Sequence, residues 1–190
     1  MPEKRESGFS LLELLVGIAI IGILGAIAIP SFSVWLPEYR LKAATRDLYS
    51  NLQLAKMGAI RDNRDWAVVF TTAGTGSYSI CSDDGGDDDW TDGDETIEKT
   101  VNLSYYEGNA GYGHGNATKN VSGGTVWGDH ILYFTPDVVS VNFAVFTSMG
   151  TADTVGYVYL CNDRGTAYAV GTPSIAGVVV LRKWNGSDWE

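Results

Sequence analysis

The most concentrated set of candidate metal ligands in this sequence is an acidic segment, residues 83–95. Carboxylate oxygens and turn-forming glycines occur together there, and hard oxygen ligands of this kind are what Ca²⁺ prefers. The spacing differs from the EF-hand pattern, which needs a glycine at loop position six and a bidentate glutamate at position twelve. A solvated acidic loop is therefore the alternative to a calcium site. The candidate ligands are Asp83, Asp84, Asp87, Asp88, Asp89, Asp92 and Asp94.

The two cysteines, Cys81 and Cys161, lie far apart in the sequence and belong to no Cys-x-x-Cys or Cys/His cluster. Metal-ligand spacing is therefore absent from this pair. If the domain that carries them lies outside the cytoplasm, where disulfides persist, we expect one bridge between them. The alternative is a pair of small buried thiols.

Catalytic patterns are absent from the sequence. The two histidines, His114 and His130, have no nucleophile or carboxylate placed near them by a motif. No glycine-rich phosphate loop follows a strand, and no nucleophile elbow is present. We therefore expect no enzymatic activity and no cofactor other than the calcium considered above. The formal net charge of -10 disfavours nucleic acid as a general partner, because an acidic surface repels phosphates.

An apolar segment near the N-terminus, residues 9–32, is long enough to cross a bilayer as a helix. Its single ionisable residue is Glu13, and a carboxylate in lipid is costly enough to be retained chiefly for a partner. The alternative is a carboxylate shallow enough to be hydrated by headgroups. The polar leader, residues 1–8, carries Lys4 and Arg5, which predicts a cytoplasmic N-terminus and an external C-terminal domain. This order differs from a secretory signal, whose cleavage site follows the apolar core.

Residues 4–14, Lys-Arg-Glu-Ser-Gly-Phe-Ser-Leu-Leu-Glu-Leu, closely resemble the prepilin signature shared by type IV pilins and type II secretion pseudopilins. The resemblance implies that a membrane peptidase cuts after Gly8 and that the new first residue, Phe9, is methylated. It also implies an assembly role for Glu13 and covers Pro30, which is expected to bend the helix or permit local melting. The implied partners are the prepilin peptidase, an inner-membrane assembly platform and the other pilins or pseudopilins of a filament.

The segment from Tyr39 to Ile60 has the period of an amphipathic helix. Together with the apolar segment it predicts one long helix, whose amphipathic half covers residues 33–62. Apolar and small residues recur every three or four positions and predict the face that packs on a sheet: Leu41, Ala44, Leu48, Leu52, Ala55 and Ala59.

The remaining residues, 63–190, change to short strand-like runs separated by turn residues. The segment 162–165, Asn-Asp-Arg-Gly, predicts a hairpin loop. A helix followed by strands predicts an α+β fold, with a long N-terminal hydrophobic helix packed on a mainly antiparallel β-sheet domain. The predicted strands are Trp66–Phe70, Ser77–Cys81, Thr96–Leu103, Ile131–Phe134, Val141–Phe146, Gly156–Cys161, Thr166–Val170 and Gly177–Trp184.

The amphipathic helix and the Ala-Ile-Arg-Asp-Asn-Arg stretch at its end, residues 59–64, resemble the GspH/FimT group of minor pilins and pseudopilins. The resemblance continues more loosely to the final strand, except over a Gly/Asn-rich loop, residues 108–128, which is either a recognition loop or a variable connection. It implies a structural and assembly subunit of the bacterial inner membrane and then of a filament, either a type II secretion pseudopilus or a type IV pilus. The alternative is a DNA-binding minor pilin that acts in DNA uptake through Arg164, Arg182 and Lys183.

Overall fold

The computed structural model describes residues 9–74, 76–82, 89–90, 93, 95–124, 131–134 and 140–190. Contacts divide the chain into two units, Met1–Leu36 and Pro37–Glu190. The first unit contains the N-terminal part of helix α1, which spans Leu11–Asp62. The second unit contains the rest of α1 and the described strands.

In the first unit, α1 is apolar and exposed. The stretch Leu11–Ala28 has a mean hydropathy of 2.6, and its length and composition would allow it to cross a membrane. Helix α1 continues without interruption through Pro30, so the local melting that was one expectation at this proline is not observed. The apolar segment is therefore a single helical element.

In the second unit, α1 buries one face completely. The predicted amphipathic periodicity is confirmed, because every member of the predicted face has no solvent exposure. These residues recur at helical spacing and place one continuous apolar stripe against the strands. They are Leu41, Ala44, Leu48, Leu52, Ala55 and Ala59.

The C-terminal end of α1 is a Schellman-type stop. Asn63 adopts a left-handed φ of 52° directly after the helix, and the Arg64 N–H donates to the Ala59 carbonyl at 3.3 Å. This bond satisfies one of the last helical carbonyls and turns the chain back. The first strand then begins at Trp66, beside the helix that precedes it.

The described strands form two antiparallel sheets, and these make up the predicted β-sheet domain. The strands are β1 (Trp66–Thr71), β2 (Ser77–Cys81), β3 (Ile97–Asn102), β4 (Gly111–Tyr112), β5 (Ile131–Phe134), β6 (Ser140–Val141), β7 (Phe143–Phe146), β8 (Val155–Cys161), β9 (Ala167–Thr172) and β10 (Val180–Lys183). Sheet A has the strand order β3-β2-β1-β7, and sheet B has the order β10-β9-β8-β5-β6 with β4 paired to β8. A short 3₁₀ helix, Leu103–Tyr106, follows β3.

The α+β fold with antiparallel strands is confirmed, and so is the hairpin loop that joins β8 to β9. Strand β4 lies within the predicted loop, residues 108–128, and was not predicted. Two predicted strands also differ clearly from the structure. The last strand starts at Val180 rather than at Gly177, whose φ of 65° a strand does not accommodate. The predicted run Val141–Phe146 divides at Asn142, whose carbonyl accepts a hydrogen bond from the Phe70 N–H.

The main core lies between α1 and the inner faces of both sheets. In β1 and β8, alternate residues enter it, as the strand period requires. In β1, Val68 and Phe70 pack into this core, whereas Ala67 and Val69 join a separate cluster on the other face of sheet A. In β8, Leu160 faces the main core. The fold therefore has one central core and a smaller apolar cluster on the outer face of each sheet.

Candidate assembly helix and surfaces of the β-rich domain

The first turn of α1 is held by Ser10. The Glu13 N–H donates to the Ser10 side-chain oxygen at 3.4 Å, and the Leu14 N–H donates to the Ser10 carbonyl at 3.1 Å. Phe9 precedes the helix and is 82% exposed. Gly8 lies outside the described residues. Cleavage and methylation at this junction therefore stay predictions.

Glu13 occupies the third position of the helix, and its side chain is exposed. A carboxylate in the first turn interacts favourably with the positive end of the helix dipole. The Ser-x-x-Glu pattern that begins at Ser10 is the sequence signature of a capping box, a local role that the sequence analysis missed. Glu13 thus helps to start the helix as well as being a candidate for pairing between subunits.

A buried polar network joins α1 to sheet A in the second unit. The Asn51 side-chain N–H donates to the Tyr78 hydroxyl at 2.8 Å, and the side-chain oxygen of Asn51, Oδ1, accepts from the Lys99 ammonium at 3.1 Å. The Tyr106 hydroxyl donates to the Asp47 carboxylate one turn earlier on the helix. The network fixes the register of the helix on the sheet, because buried polar groups are costly unless they are paired.

Burial of the tyrosines in this region changes their acidity. Desolvation raises the pKa of Tyr78 and of Tyr106 well above the ordinary value, and the same cause raises the pKa of Tyr112. The Tyr112 hydroxyl donates to the Ser77 carbonyl at 2.6 Å. These phenols are therefore neutral structural donors and acceptors over the physiological pH range. Sequence reasoning did not assign them a role.

The two cysteines are free thiols, so the predicted bridge between Cys81 and Cys161 is wrong for this structure. Cys81 ends β2 in sheet A and packs with Trp90 and Val145 on the outer face of that sheet. Cys161 ends β8 in sheet B and packs against the outer cluster there. Burial raises the pKa of Cys81 to about 11 and also raises that of Cys161. The expectation failed because the two strand ends belong to different sheets and different clusters.

Most of the acidic segment lies outside the described residues, including Asp83, Asp84, Asp87, Asp88, Asp92 and Asp94. Within the described part of the chain, no group of three or more metal-ligating side chains occurs. Next to the segment, Trp90 is buried against sheet A, and the Ser82 hydroxyl donates to Glu98 at 2.6 Å. The calcium site stays a prediction.

The basic residues considered for DNA binding are largely engaged within the domain. Lys183 forms a 2.8 Å ion pair with Glu38, and its ammonium lies 5.8 Å from the centre of the Tyr168 ring. The hydrogen bond to Glu38 raises the pKa of Lys183. Arg182 donates to the Trp189 carbonyl at 3.4 Å. Arg164 lies in the loop between β8 and β9.

Part of the Gly/Asn-rich loop is fastened to the outer face of sheet B. The Trp189 indole N–H donates to the Lys119 carbonyl at 2.7 Å, and the Val121 N–H donates to the Tyr159 hydroxyl at 3.0 Å. The rings of Trp184 and Trp189 lie 5.4 Å apart within the same aromatic cluster. The loop is thus held at Lys119 by Trp189 and at Val121 by Tyr159. Residues 125–130 lie outside the described part of the chain.

Two family comparisons match this chain over complementary regions. Residues 4–29 match the prokaryotic N-terminal methylation motif. Residues 44–177 match the family described as type II transport protein GspH. The second match covers α1 from Ala44 onwards and the strands up to β9.

Among individual proteins, two fimbrial proteins of Pseudomonas aeruginosa are each 37% identical to the chain over 62 residues. The aligned segment is 33% of this chain and 40% of each relative. The chain thus aligns with less than half the length of these relatives. No solved structure matches the chain.

Proposed function

We propose that this chain, which belongs to the GspH family of type II transport proteins, is a minor subunit of a type II secretion pseudopilus or of a type IV pilus. The observation that carries the proposal is the combination of two features on one continuous helix. Its N-terminal part is apolar, exposed and overlaps the methylation motif, and its C-terminal part is buried against a β-rich domain. An exposed apolar helix in an otherwise acidic chain needs lipid or the helices of neighbouring subunits to cover it.

The proposed maturation follows from the leader. A prepilin peptidase cuts after Gly8, and Phe9 becomes the methylated first residue. Lys4 and Arg5 keep the leader in the cytoplasm, so the β-rich domain lies outside the inner membrane. An assembly platform in that membrane then passes the subunit to the filament. Mass spectrometry of the native protein should find a chain that begins at N-methylated Phe9, and an unprocessed Met1 terminus in cells with active peptidase would contradict this maturation.

The biological role is tested by deletion of the gene. Secretion, surface pili and transformation are scored side by side in the deletion strain and after complementation with the wild-type chain. Loss of secretion or of pili is expected, and it identifies the machine. Normal secretion and normal pili in the deletion strain would contradict the proposal.

The DNA-uptake alternative has weaker support. Lys183 is paired with Glu38, Arg182 bonds to the C-terminal segment, and the net charge is -10. Salt-sensitive DNA binding that is lost when Arg164, Arg182 and Lys183 are all changed would favour this alternative, since phosphate contacts produce such salt dependence.

A further inference from the structure

A cleft separates α1 from the edge strand β10 within the second unit. It has a volume of about 510 Å³ and is lined by Arg46 and Tyr49 of the helix and by residues 179–181, at the start of the strand. One contact on either side of the opening ties the helix to the strand or to the segment that precedes the strand. The Lys183 ammonium bonds to Glu38 at 2.8 Å, and the Lys56 ammonium donates to the carbonyl of residue 177 at 2.9 Å. The cleft thus lies between these two contacts.

The strand side of the cleft presents unused backbone groups. The Trp184 N–H donates to Ala167 of sheet B at 3.0 Å, and the pairing register places Arg182 opposite Ala169 and Leu181 opposite Val170. In an antiparallel ladder the bonded pairs alternate, so Arg182 bonds to β9, whereas the N–H and C=O of Leu181 point away from it. In the part of the chain that the structure describes, these two groups of Leu181 have no other partner.

The adjacent position on the same edge already carries a strand-like partner. The Lys183 N–H donates to the Glu190 carbonyl at 2.8 Å, and the Glu190 N–H donates to the Lys183 carbonyl at 3.0 Å. This reciprocal pair has the geometry of an antiparallel ladder on the side of β10 that faces away from β9. The edge thus accepts an extended segment at Lys183 and leaves the next outward-facing position, Leu181, open.

The helix side of the cleft presents an unpaired cation. Arg46 is exposed, and its guanidinium has no ion pair with any described residue. In contrast, Arg40 and Arg61 of the same helix pair with Glu107 and Asp62. The guanidinium binds a carboxylate in a bidentate fork, so it favours an acidic residue in whatever enters the cleft.

We propose that the cleft binds an extended, acidic segment of another protein subunit, which adds as a strand to β10. Its backbone bonds to the N–H and C=O of Leu181, and one of its carboxylates pairs with Arg46. Strand addition supplies affinity through main-chain bonds, and the side-chain contact supplies specificity. The open main-chain edge favours a peptide over nucleic acid, which would need several cations along its backbone. That this subunit is another member of the filament rests on the proposed function; the binding chemistry does not.

The test uses the full chain in detergent micelles and a fluorescent peptide in which valine or threonine alternates with aspartate, followed by anisotropy. The acidic peptide is expected to bind, and the same peptide with lysine in place of aspartate is not. Arg46→Gln should weaken binding about tenfold or more, because a hydrogen bond to a charged group contributes at least that much. Arg61→Gln is the matched control, since it removes the same charge from a paired position on the same helix, and it should leave the affinity unchanged.

Two N-methylated versions of the peptide test the main-chain contact without altering the protein. Alternate N–H groups of a strand point to opposite edges, so methylation of one alternate set blocks one edge only. One version should lose binding and the other should retain it. Equal binding of both versions, no binding of the acidic peptide, or an unchanged affinity in Arg46→Gln would each overturn the proposal. Duplex DNA that binds through Arg46 when the acidic peptide does not would also overturn it. All these outcomes are independent of processing at Gly8 and of the deletion phenotype.

Discussion

Trp66 lies so close to the backbone of α1 at Gly58 that a Cβ atom on Gly58 would come within 2.6 Å of the indole ring. The turn at Asn63 brings β1 back beside the helix, and Trp66 is buried at its first position. The Arg61 guanidinium lies 5.5 Å from the centre of the same ring. Gly58 is therefore needed for the approach of a strand to a helix, although glycine lowers helix propensity.

We expect Gly58→Ala to destabilise the β-rich domain. The overlap with the rigid indole of Trp66 should cost about 2–3 kcal/mol, in the upper part of the overpacking range, which exceeds the roughly 1 kcal/mol that alanine gains in helix propensity. Thermal unfolding of the full chain in detergent micelles measures the net effect. Gly25→Ala is the control on the same helix, because a Cβ at Gly25 meets nothing within 4 Å. Equal melting temperatures for the wild type and Gly58→Ala would contradict the close contact.

Tyr78→Phe is expected to lower the free energy of unfolding by about 1–3 kcal/mol, because it leaves the buried Asn51 amide without its acceptor. Tyr105→Phe is the matched control, since Tyr105 is 78% exposed. Urea unfolding near neutral pH compares the two variants. A loss in Tyr78→Phe no greater than that in Tyr105→Phe would show that the network contributes no net stability.

The same tyrosines predict how stability changes with pH. Burial raises the folded-state pKa of Tyr78, Tyr106 and Tyr112, so the unfolded chain releases these protons first as the pH rises. Their contribution is fully present below the ordinary tyrosine pKa of about 10 and declines at higher pH. Unfolding measured between neutral and alkaline pH should therefore show falling stability above about pH 10. The decline should be shallower in Tyr78→Phe, and an unchanged slope would contradict this assignment.

Both cysteines should be detected as thiols when the protein is denatured without reductant and alkylated. In the folded protein, Cys81 should react slowly near neutral pH, because it is buried and its pKa is raised to about 11, which leaves little thiolate. Its rate should increase as the pH approaches that value. Mass spectrometry after timed alkylation gives the rate at each site. Absence of both thiols from the denatured, unreduced protein would support the disulfide between Cys81 and Cys161 after all.

Glu13→Leu is expected to leave peptidase cleavage and membrane insertion intact and to reduce incorporation into filaments severalfold. Cleavage after Gly8 creates an α-amino group at Phe9 that is protonated near neutral pH, and Glu13 is placed to pair with that group in its own chain or in a neighbour. Crosslinking between this helix and partner pilins in cells measures the effect. Leu14→Ala is the control, as it changes an adjacent exposed side chain without removing a charge. Full crosslinking and full complementation by Glu13→Leu would show that the carboxylate is incidental.

Local sequence patterns predicted the elements of this protein well. The spacing of Leu41, Leu48 and Leu52 identified the buried face of α1, because helical periodicity is a property of one segment. Runs of β-branched and aromatic residues located most strands for a similar reason, and the residues around Gly8 identified the methylation motif. The Ser-x-x-Glu pattern that begins at Ser10 is also local, so the sequence alone could have predicted the cap at the start of α1.

Only the tertiary structure decided which elements lie beside one another. Alternation along β2 shows which face of that strand is apolar, but no local pattern says that Cys81 and Cys161 belong to different sheets. The Asn51 to Tyr78 bond spans 27 positions of sequence, and the cleft between Arg46 and Leu181 exists only because β10 is an edge strand next to α1. Sequence by itself determined the elements and their buried faces, because these depend on neighbours three or four positions away. Pairing, contacts and clefts depend on which distant segments exclude water from each other, and that is settled only when the whole core packs.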